Sequence, residues 1–280
     1  MRNVVFASAI AGAAILVGPA VNAADIARPV YKAPPAPVAT FSWTGFYVGG
    51  SVGARWLEAD WKTTQVLDPS PGGAIPFTDD PNASFSDTAA RFAGHIGYNW
   101  QVTPAWVVGL EADFGYADNE KTINRLPGTV GFGGPGVNVS STVKATWDGS
   151  ARLRAGYLVT PATLAYATGG LAWQRIEASG LCRADNQVCD DDAPPQTGTF
   201  SGTRLGWTIG GGLETMISPN WLVRSEYRYS DFRSFTFTAL PQSDVAFGVT
   251  ADVTAKTHIA TLGISYKFGD YGKAPVMAKY

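Results

Sequence analysis

Three short turns constrain this chain more than any other feature. They are Val102-Thr103-Pro104-Ala105-Trp106, Val159-Thr160-Pro161-Ala162-Thr163 and Ile217-Ser218-Pro219-Asn220-Trp221, and their prolines stand 57 and 58 residues apart. Proline, asparagine and a small hydroxyl residue favour tight reversals, and a fixed spacing of this kind marks an internal repeat. The connections between these turns are different: residues 57–87, 118–141, 177–199 and 233–253 are long, polar and rich in Gly, Pro, Asp and Asn. Tight turns at one end and long connections at the other describe an up-and-down barrel of antiparallel hairpins.

The segments between these connections alternate with a period of two, as half-buried strands do. In 45–56, Phe46, Val48, Val52, Ala54 and Trp56 oppose Tyr47, Gly49, Ser51, Gly53 and Arg55. In 89–101, Phe92, Ile96, Tyr98 and Trp100 oppose Arg91, His95, Asn99 and Gln101, and in 106–117, Val108, Leu110, Phe114 and Tyr116 oppose Glu111 and Asp113. Segments 144–158, 202–216, 221–232 and 254–268 follow the same rule. Segment 163–175 does not: Leu171 and Trp173 mark one face, Leu164 and Tyr166 the other, so a bulge is expected there. The fold class expected is all-β, an eight-stranded antiparallel transmembrane up-and-down barrel.

The N-terminus supports export. One charge at Arg2, an apolar run from Val4 to Val17 and the exit Val21-Asn22-Ala23 have the layout of a signal peptide. The expected organisation is a signal peptide at 1–23, a Pro-rich periplasmic lead-in at 24–42, the barrel at 43–268 and a tail at 269–280. After the signal, no apolar run approaches the ~20 residues of a membrane helix, and in lipid the remaining solution to backbone pairing is a closed barrel. Charged residues make up 16% of the chain, below the ~25% of soluble domains, which suits a lipid-facing surface. A net charge of −2 gives no electrostatic footprint for nucleic acid, so no such partner is expected. In an exported chain the neighbouring Cys182 and Cys189 read as a local disulfide rather than a metal site, since no histidine is near.

Aromatic residues fall near both strand ends: Trp100, Trp106, Tyr157, Trp221, Tyr266 and Phe268 by the tight turns, Trp56, Tyr116 and Trp147 toward the long connections. Two such girdles are what membrane interfaces favour. The apolar face then meets lipid, and the lumen receives Arg55, Arg91, His95, Glu111, Asp113, Asp148, Arg152, Arg154, Arg204, Glu214, Arg224, Glu226, Arg228 and Lys267. Charges of both signs in an interior just wide enough for side chains form a salt-bridged filling, with a narrow solute pore as the alternative.

Several stretches resemble the small alphaproteobacterial outer-membrane immunogen family of porin-like surface antigens. They are Val30-Tyr31-Lys32-Ala33-Pro34-Pro35-Ala36-Pro37, Phe41-Ser42-Trp43-Thr44-Gly45-Phe46-Tyr47-Val48-Gly49-Gly50, Tyr98-Asn99-Trp100, Gly109-Leu110-Glu111-Ala112-Asp113, Thr168-Gly169-Gly170-Leu171-Ala172 and Ser225-Glu226-Tyr227-Arg228-Tyr229. The resemblance covers nearly the whole chain. It implies an eight-stranded barrel in the outer membrane with roles in envelope integrity and surface interaction, and haem binding in a few members. The end of the last strand, with Gly263, Tyr266 and Phe268, resembles the signal read by the barrel-assembly machinery. Members of the family usually stop at that phenylalanine, whereas this chain continues to Tyr280.

The chain offers little for catalysis. Neither of its two histidines, His95 and His258, has a serine two residues on, and a cross-strand partner is left open. Asp190-Asp191-Asp192 reads as a solvated loop and Gly131–Gly136 lacks the lysine of a phosphate cradle. The expected function is therefore structural and non-enzymatic, without a cofactor; a narrow porin and a haem- or other ligand-binding surface protein are the alternatives. Expected partners are outer-membrane lipid and lipopolysaccharide, the assembly machinery, and peptidoglycan through the Pro-rich N-terminal segment.

Overall fold

The computed structural model describes residues 42–68, 73–129, 139–183, 195–242 and 247–268. The expected signal peptide, all of the lead-in but its last residue, Cys189, the Asp190–Asp192 run, the Gly131–Gly136 stretch and the tail lie outside them. The eight strands are β1 (Gly45–Leu67), β2 (Asn82–Gln101), β3 (Trp106–Ile123), β4 (Val139–Thr160), β5 (Thr163–Cys182), β6 (Gln196–Met216), β7 (Trp221–Leu240) and β8 (Gly248–Phe268). Each pairs antiparallel with the next, and β1 pairs β8 from Phe46↔Phe268 to Leu67↔Gly248, which closes the cylinder in its lower half. Above Phe92↔Tyr116 β2 and β3 part, and above Trp207↔Asp231 so do β6 and β7, so the upper strands form two four-stranded sheets, β7-β8-β1-β2 and β3-β4-β5-β6.

The strands run well past their expected ends. Much of what reads as loop in 57–87, 118–141, 177–199 and 233–253 is strand, and the reason is an exchange of faces. Along β1 the outward residues are apolar from Phe46 to Trp56 and then become Glu58, Asp60 and Lys62. The inward residues include Gly49, Gly53 and Arg55 below that level and Leu57, Ala59 and Trp61 above it. In β8 the outward set passes from Phe268, Ile264 and Leu262 to Lys256 and Asp252, while the inward set passes from Lys267, Ser265 and Thr261 to Ala255, Val253 and Ala251. At ~3.3 Å per residue and a tilt near 40°, the ten steps from Phe46 to Trp56 climb roughly 25 Å, the height of a lipid-facing band. The ten from Leu57 to Leu67 carry the wall about as far again, into water.

Bulges mark the level of exchange. Pairing shifts occur between Tyr116 and Asn119 on β3, Ala145 and Asp148 on β4, and Asp231 and Ser234 on β7. In β4 and β7 the extra residue moves the inward set by one, whereas β3 keeps Gly115, Ala117 and Asn119 inward. In β4 that set is Val143 and Ala145 above, then Asp148, Ser150 and Arg152 below. In β7, Arg233 takes the left-handed backbone conformation (φ 56°), and the inward residues change from Arg228, Ser230 and Phe232 to Phe235 and Phe237.

The bulge expected in the fifth strand is absent. Its pairing with β6 is unbroken from Thr163↔Thr215 to Cys182↔Gln196. Leu164 and Tyr166 simply point inward, because the lumen is apolar at the tight-turn end, and Leu171 and Trp173 point outward.

Candidate functional site: the barrel interior

The interior is filled in three layers. The lowest closes the tight-turn end. Trp43, just ahead of β1, is fully buried against Val107, Leu164, Tyr166, Met216 and Leu222. Its indole N–H donates to the Pro161 carbonyl (3.2 Å) in the turn between β4 and β5, on another part of the wall. Gly45 has φ +147°, which lets the chain bend from this stopper into β1 without a side-chain clash.

The middle layer is ionic. Glu111 accepts from Arg152 and Arg224 (2.5 Å each) and from the Tyr47 hydroxyl (2.7 Å). Asp113 accepts from Arg91 and Arg228 (2.7 Å each) and from Ser150. Asp148 binds Arg55 (2.8 Å), Arg91 (2.5 Å) and Arg228 (3.3 Å). Glu226 pairs with Arg152 (2.7 Å) and the Tyr166 hydroxyl (3.0 Å), and Glu214 with Arg154 (2.7 Å). Arg154 also stacks on the Tyr166 ring at 4.3 Å. Every carboxylate and guanidinium here is almost wholly buried. Burial of this kind is tolerated only when both signs are paired and hydrogen-bonded. Glycines make room: a Cβ on Gly97 would collide with the Tyr47 hydroxyl, and one on Gly115 would come within 2.6 Å of the Arg91 guanidinium.

Arg55 joins this layer to the bulges. Besides Asp148 and Asn119 Oδ1, its guanidinium donates to the backbone carbonyls of Ala117, Ala145 and Thr146, at 2.9, 2.7 and 2.7 Å. Gln174 adds a bond to the Trp147 carbonyl at 3.1 Å. These carbonyls lie at the β3 and β4 irregularities, where the ladder has been interrupted, and buried carbonyls need partners.

The upper layer is an apolar core within the extended wall, with Trp61, Phe85, Ile176, Phe235, Phe237 and Val253 among its members. Trp61 meets Phe237 edge-on at 5.1 Å. Leu126, fully buried, covers this core from the segment after β3. That segment is held by Thr63 donating to the Pro127 carbonyl (2.7 Å), Gly128 N–H donating to Asp80 O (3.0 Å) and an Arg125–Asp79 ion pair (3.0 Å). The outward wall here is polar. Lys144 hydrogen-bonds Glu120 (2.9 Å) and lies 3.1 Å from Asp118, contacts that hold its ammonium above the ordinary lysine range.

Arg55, Arg91, Arg152, Arg154, Arg224, Arg228, Glu111, Asp113, Asp148, Glu214 and Glu226 meet in the middle layer. Three other expected members do not join them. Arg204 points inward but sits higher, against the Phe235 ring (5.0 Å) and the Ser234 carbonyl (3.3 Å), because apolar packing replaces carboxylates at that level. Lys267 is inward and buried near the tight-turn end, with no ion pair among the described residues. His95 is inward, 2.7 Å from Ser265 Oγ of β8, a contact that passes over Gly49 of the intervening β1. That contact has the form of a nucleophile and base, but both residues are buried and, among the described residues, His95 Nδ1 has no hydrogen-bond partner to orient the ring. Tyr47, Tyr166, Asn119 and Gln174 belong to the site and carry no charge pattern to reveal them. Trp43 gave no periodic signal, since it precedes the first strand.

Residues 26–268 match the outer membrane protein β-barrel domain family. The chain is 30% identical over 271 residues to the 31 kDa outer-membrane immunogenic protein of Brucella melitensis biotype 1, covering 96% of this chain and all of that relative. It is 30% identical over 237 residues to the 25 kDa outer-membrane immunogenic protein of Brucella abortus biovar 1, covering 84% of each. Among solved structures, the outer membrane protein OprG from Pseudomonas aeruginosa aligns with 83% of this chain and 100% of its own, at 14% identity and a TM-score of 0.45.

Proposed function

This chain belongs to the outer-membrane β-barrel family, and from that premise we propose that it serves the envelope as a filled, non-enzymatic cylinder whose extended wall presents a surface to the outside. It is a protein of the outer membrane. The observation that carries the proposal is the three-layered lumen: an ion-paired layer sealed below by Trp43 and above by an apolar core roofed by Leu126. A conducting path would have to desolvate an ion past both apolar layers, at a cost of several kcal/mol for each unpaired charge. The exchange of faces supports the surface role. A wall that continues roughly 25 Å beyond the lipid band on its own core can hold the connecting segments 73–81 and 124–129 rigidly away from the bilayer.

Gly263, Tyr266 and Phe268 remain our reading of the assembly signal. Tyr266 and Phe268 lie on the lipid side, packed with Trp221 and Phe46, where a membrane-embedded machine has access to them. The test of the main proposal is planar-bilayer recording on folded protein. Wild type is expected to give no steady conductance, and reproducible single-channel steps would overturn the filled-cylinder reading.

A further inference from the structure

Above the lipid band the wall has two seams, and they are finished differently. At the β2–β3 seam, side chains take the place of the ladder. Asp87 accepts from the Glu120 backbone N–H (3.2 Å) and from the Asn119 side-chain amide (3.0 Å), and Arg125 donates to the Asn82 carbonyl (3.0 Å). At the β6–β7 seam, among the described residues, one hydrogen bond crosses above Trp207↔Asp231, from Arg204 to the Ser234 carbonyl (3.3 Å), beside the Phe200 and Phe235 rings (4.3 Å apart). Here β7 passes over the inner face of β5 and β6: a Cβ on Gly180 or Gly198 would collide with the Ala239 carbonyl. The edge this leaves on β6 can be read residue by residue. Met216 N–H donates to Ala162 and Ile217 N–H to Trp221, and the pairing of β6 with β5 has no shift. Even-numbered residues of β6 therefore bond to β5, and odd-numbered ones turn N–H and C=O toward β7. In the upper wall those are Thr203, Ser201, Thr199 and Thr197, and none has a backbone partner across the seam among the described residues. Exposure agrees. The inward-facing Phe200, Gly202 and Arg204 are only half-buried, whereas Ala178, Ile176 and Gln174 opposite them on β5 are buried. Proteins guard such edges with lysine, proline, bulges or inward charge. Residues 196–206 have no lysine, proline or bulge, and their one charge, Arg204, stands at the lower end.

We propose that the upper edge of β6, from Thr197 to Thr203, is a docking strand for an extended segment of another polypeptide, which adds to the β3-β4-β5-β6 sheet as a fifth strand. This reading rests on the surface role proposed above. The partner's chemistry follows from the two faces it must extend. Outside, it continues the row Thr197, Thr199, Ser201 and Thr203, where uncharged β-branched or hydroxyl side chains pair well. Inside, the Phe200 ring is the one group that a Cβ on Gly202 would approach, which leaves room beside Gly202 for an apolar side chain. Next to Gly198 the β7 backbone already occupies the inner side, so the partner must be small there. At the lower end Arg204 Nε is buried without a hydrogen-bond partner, which calls for a carboxylate. A second copy does not fit. Two barrels in one membrane are related by an axis along its normal, which sets two β6 edges in the same direction with like groups at the same height. A parallel ladder needs those groups offset by one residue, and the offset breaks the closed symmetry. A segment free of the membrane can run antiparallel.

The experiment is fluorescence anisotropy of a labelled synthetic peptide, ETVTVTGT, titrated with the folded barrel in detergent. Run antiparallel, the peptide sets its glutamate opposite Arg204, its threonines opposite Thr203, Ser201, Thr199 and Thr197, and its glycine opposite Gly198. Saturable one-to-one binding is expected. N-methylation of the two threonines opposite Ser201 and Thr199 removes N–H groups that face β6 and is expected to lower affinity about tenfold. Ser201→Pro, whose lost N–H faces the seam and not β5, should do the same. The Glu120 N–H faces the other seam, and so does that of Thr122, two residues on; Thr122→Pro should leave binding unchanged. Glutamine in place of the peptide's glutamate should weaken binding about threefold. Heat-dependent electrophoretic mobility checks that each variant is folded, and the N-methylated peptide tests the ladder on wild type alone. The proposal is overturned if folded wild type shows no saturable binding, if the N-methylated peptide binds equally, or if Ser201→Pro binds as wild type does. It is also overturned if Thr122→Pro loses binding equally, or if the edge is instead taken by a second copy, seen as a dimer in detergent that Ser201→Pro dissolves. Equal affinity for the glutamine peptide overturns the role of Arg204. A barrel that conducts ions yet takes the peptide would lose the filled interior and keep this docking strand.

Discussion

The lower and upper halves of this barrel share the same strands, but the ladder that closes the lower half opens between β2 and β3 and between β6 and β7 in the upper, and the two halves are built inside out relative to each other. Below Trp56 the outside is Val52, Leu262 and Phe92 and the inside is arginine and carboxylate; above it the outside is Glu58, Asp60 and Lys256 and the inside is Trp61, Phe237 and Val253. In lipid the backbone needs full closure, which the lower half has; in water the upper half can leave β2–β3 and β6–β7 unpaired. The surrounding medium also decides which face is apolar. In lipid there is no gain from turning apolar side chains inward, so the lumen can hold charge; in water the ordinary hydrophobic driving force returns and the lumen becomes a core.

The two interiors should therefore fail in different ways. Asp148→Ala has the largest expected effect, because it leaves Arg55, Arg91 and Arg228 short of a partner in a place water does not reach. Removing one partner of a buried pair costs about 3–5 kcal/mol, and the temperature at which the folded electrophoretic band converts should fall sharply. A wild-type transition would show that the lumen solvates its arginines without this carboxylate. Trp61→Ala should cost about 3 kcal/mol by leaving a cavity in the upper core. Its expected signature is local: protease nicks the extended wall while the membrane-embedded half keeps its band shift. If both halves melt together, the cylinder is one cooperative unit and the division into layers is only geometric.

This inversion also explains what the sequence could and could not reveal. The eight strands, their order, the three tight turns and the inward charges from Arg55 to Arg228 follow from a period of two referred to one medium. The upper wall is hidden because its pattern has the opposite sign. Glu58, Asp60 and Lys62 look like the start of a loop when polar residues are expected only inside. The β4 and β7 bulges add a second break by moving the phase one residue at that level. Leu164 and Tyr166 imply a bulge for the same reason, since an inward apolar residue has no place in a uniformly polar lumen. Alternation places Arg204 with the other charges because its face is right; its height in the barrel, which sets its neighbours, is not a property of local alternation. Trp43 lies outside any strand, and only its tertiary contacts give it a role.

The boundary between the halves can be located by moving a single charge along the outer face of β1. Val52→Lys places an ammonium against lipid and is expected to cost about 2–4 kcal/mol at mid-depth. Glu58→Lys, six residues higher on the same face, should change stability by less than about 0.5 kcal/mol, as surface substitutions in water do. Urea unfolding of barrels refolded into lipid vesicles reads both. Equal costs would mean that the lipid band extends past Trp56 and that the upper wall is membrane-embedded too.

The smallest effect belongs to the cover of the upper core and depends on pH. Asp80 accepts hydrogen bonds from the backbone N–H and side-chain amide of Asn82 (2.9 and 2.8 Å), and these hold its carboxyl below the ordinary aspartate value. A carboxyl whose folded pKa is depressed contributes stability above its unfolded pKa and loses it as pH falls through the folded value. The turn leading into β2 should therefore be tightest at neutral pH and loosen only in acid, below the usual range of free aspartate. Asp80→Asn removes the charge and should abolish that dependence while leaving the neutral-pH barrel folded. Hydrogen exchange at the Asn82 amide, followed from pH 6 to pH 3 and corrected for intrinsic rates, reports it directly. Protection that is the same in wild type and Asp80→Asn across that range would show that the Gly128 N–H bond to the Asp80 carbonyl and the Arg125–Asp79 pair hold the cover without help from the Asp80 side chain.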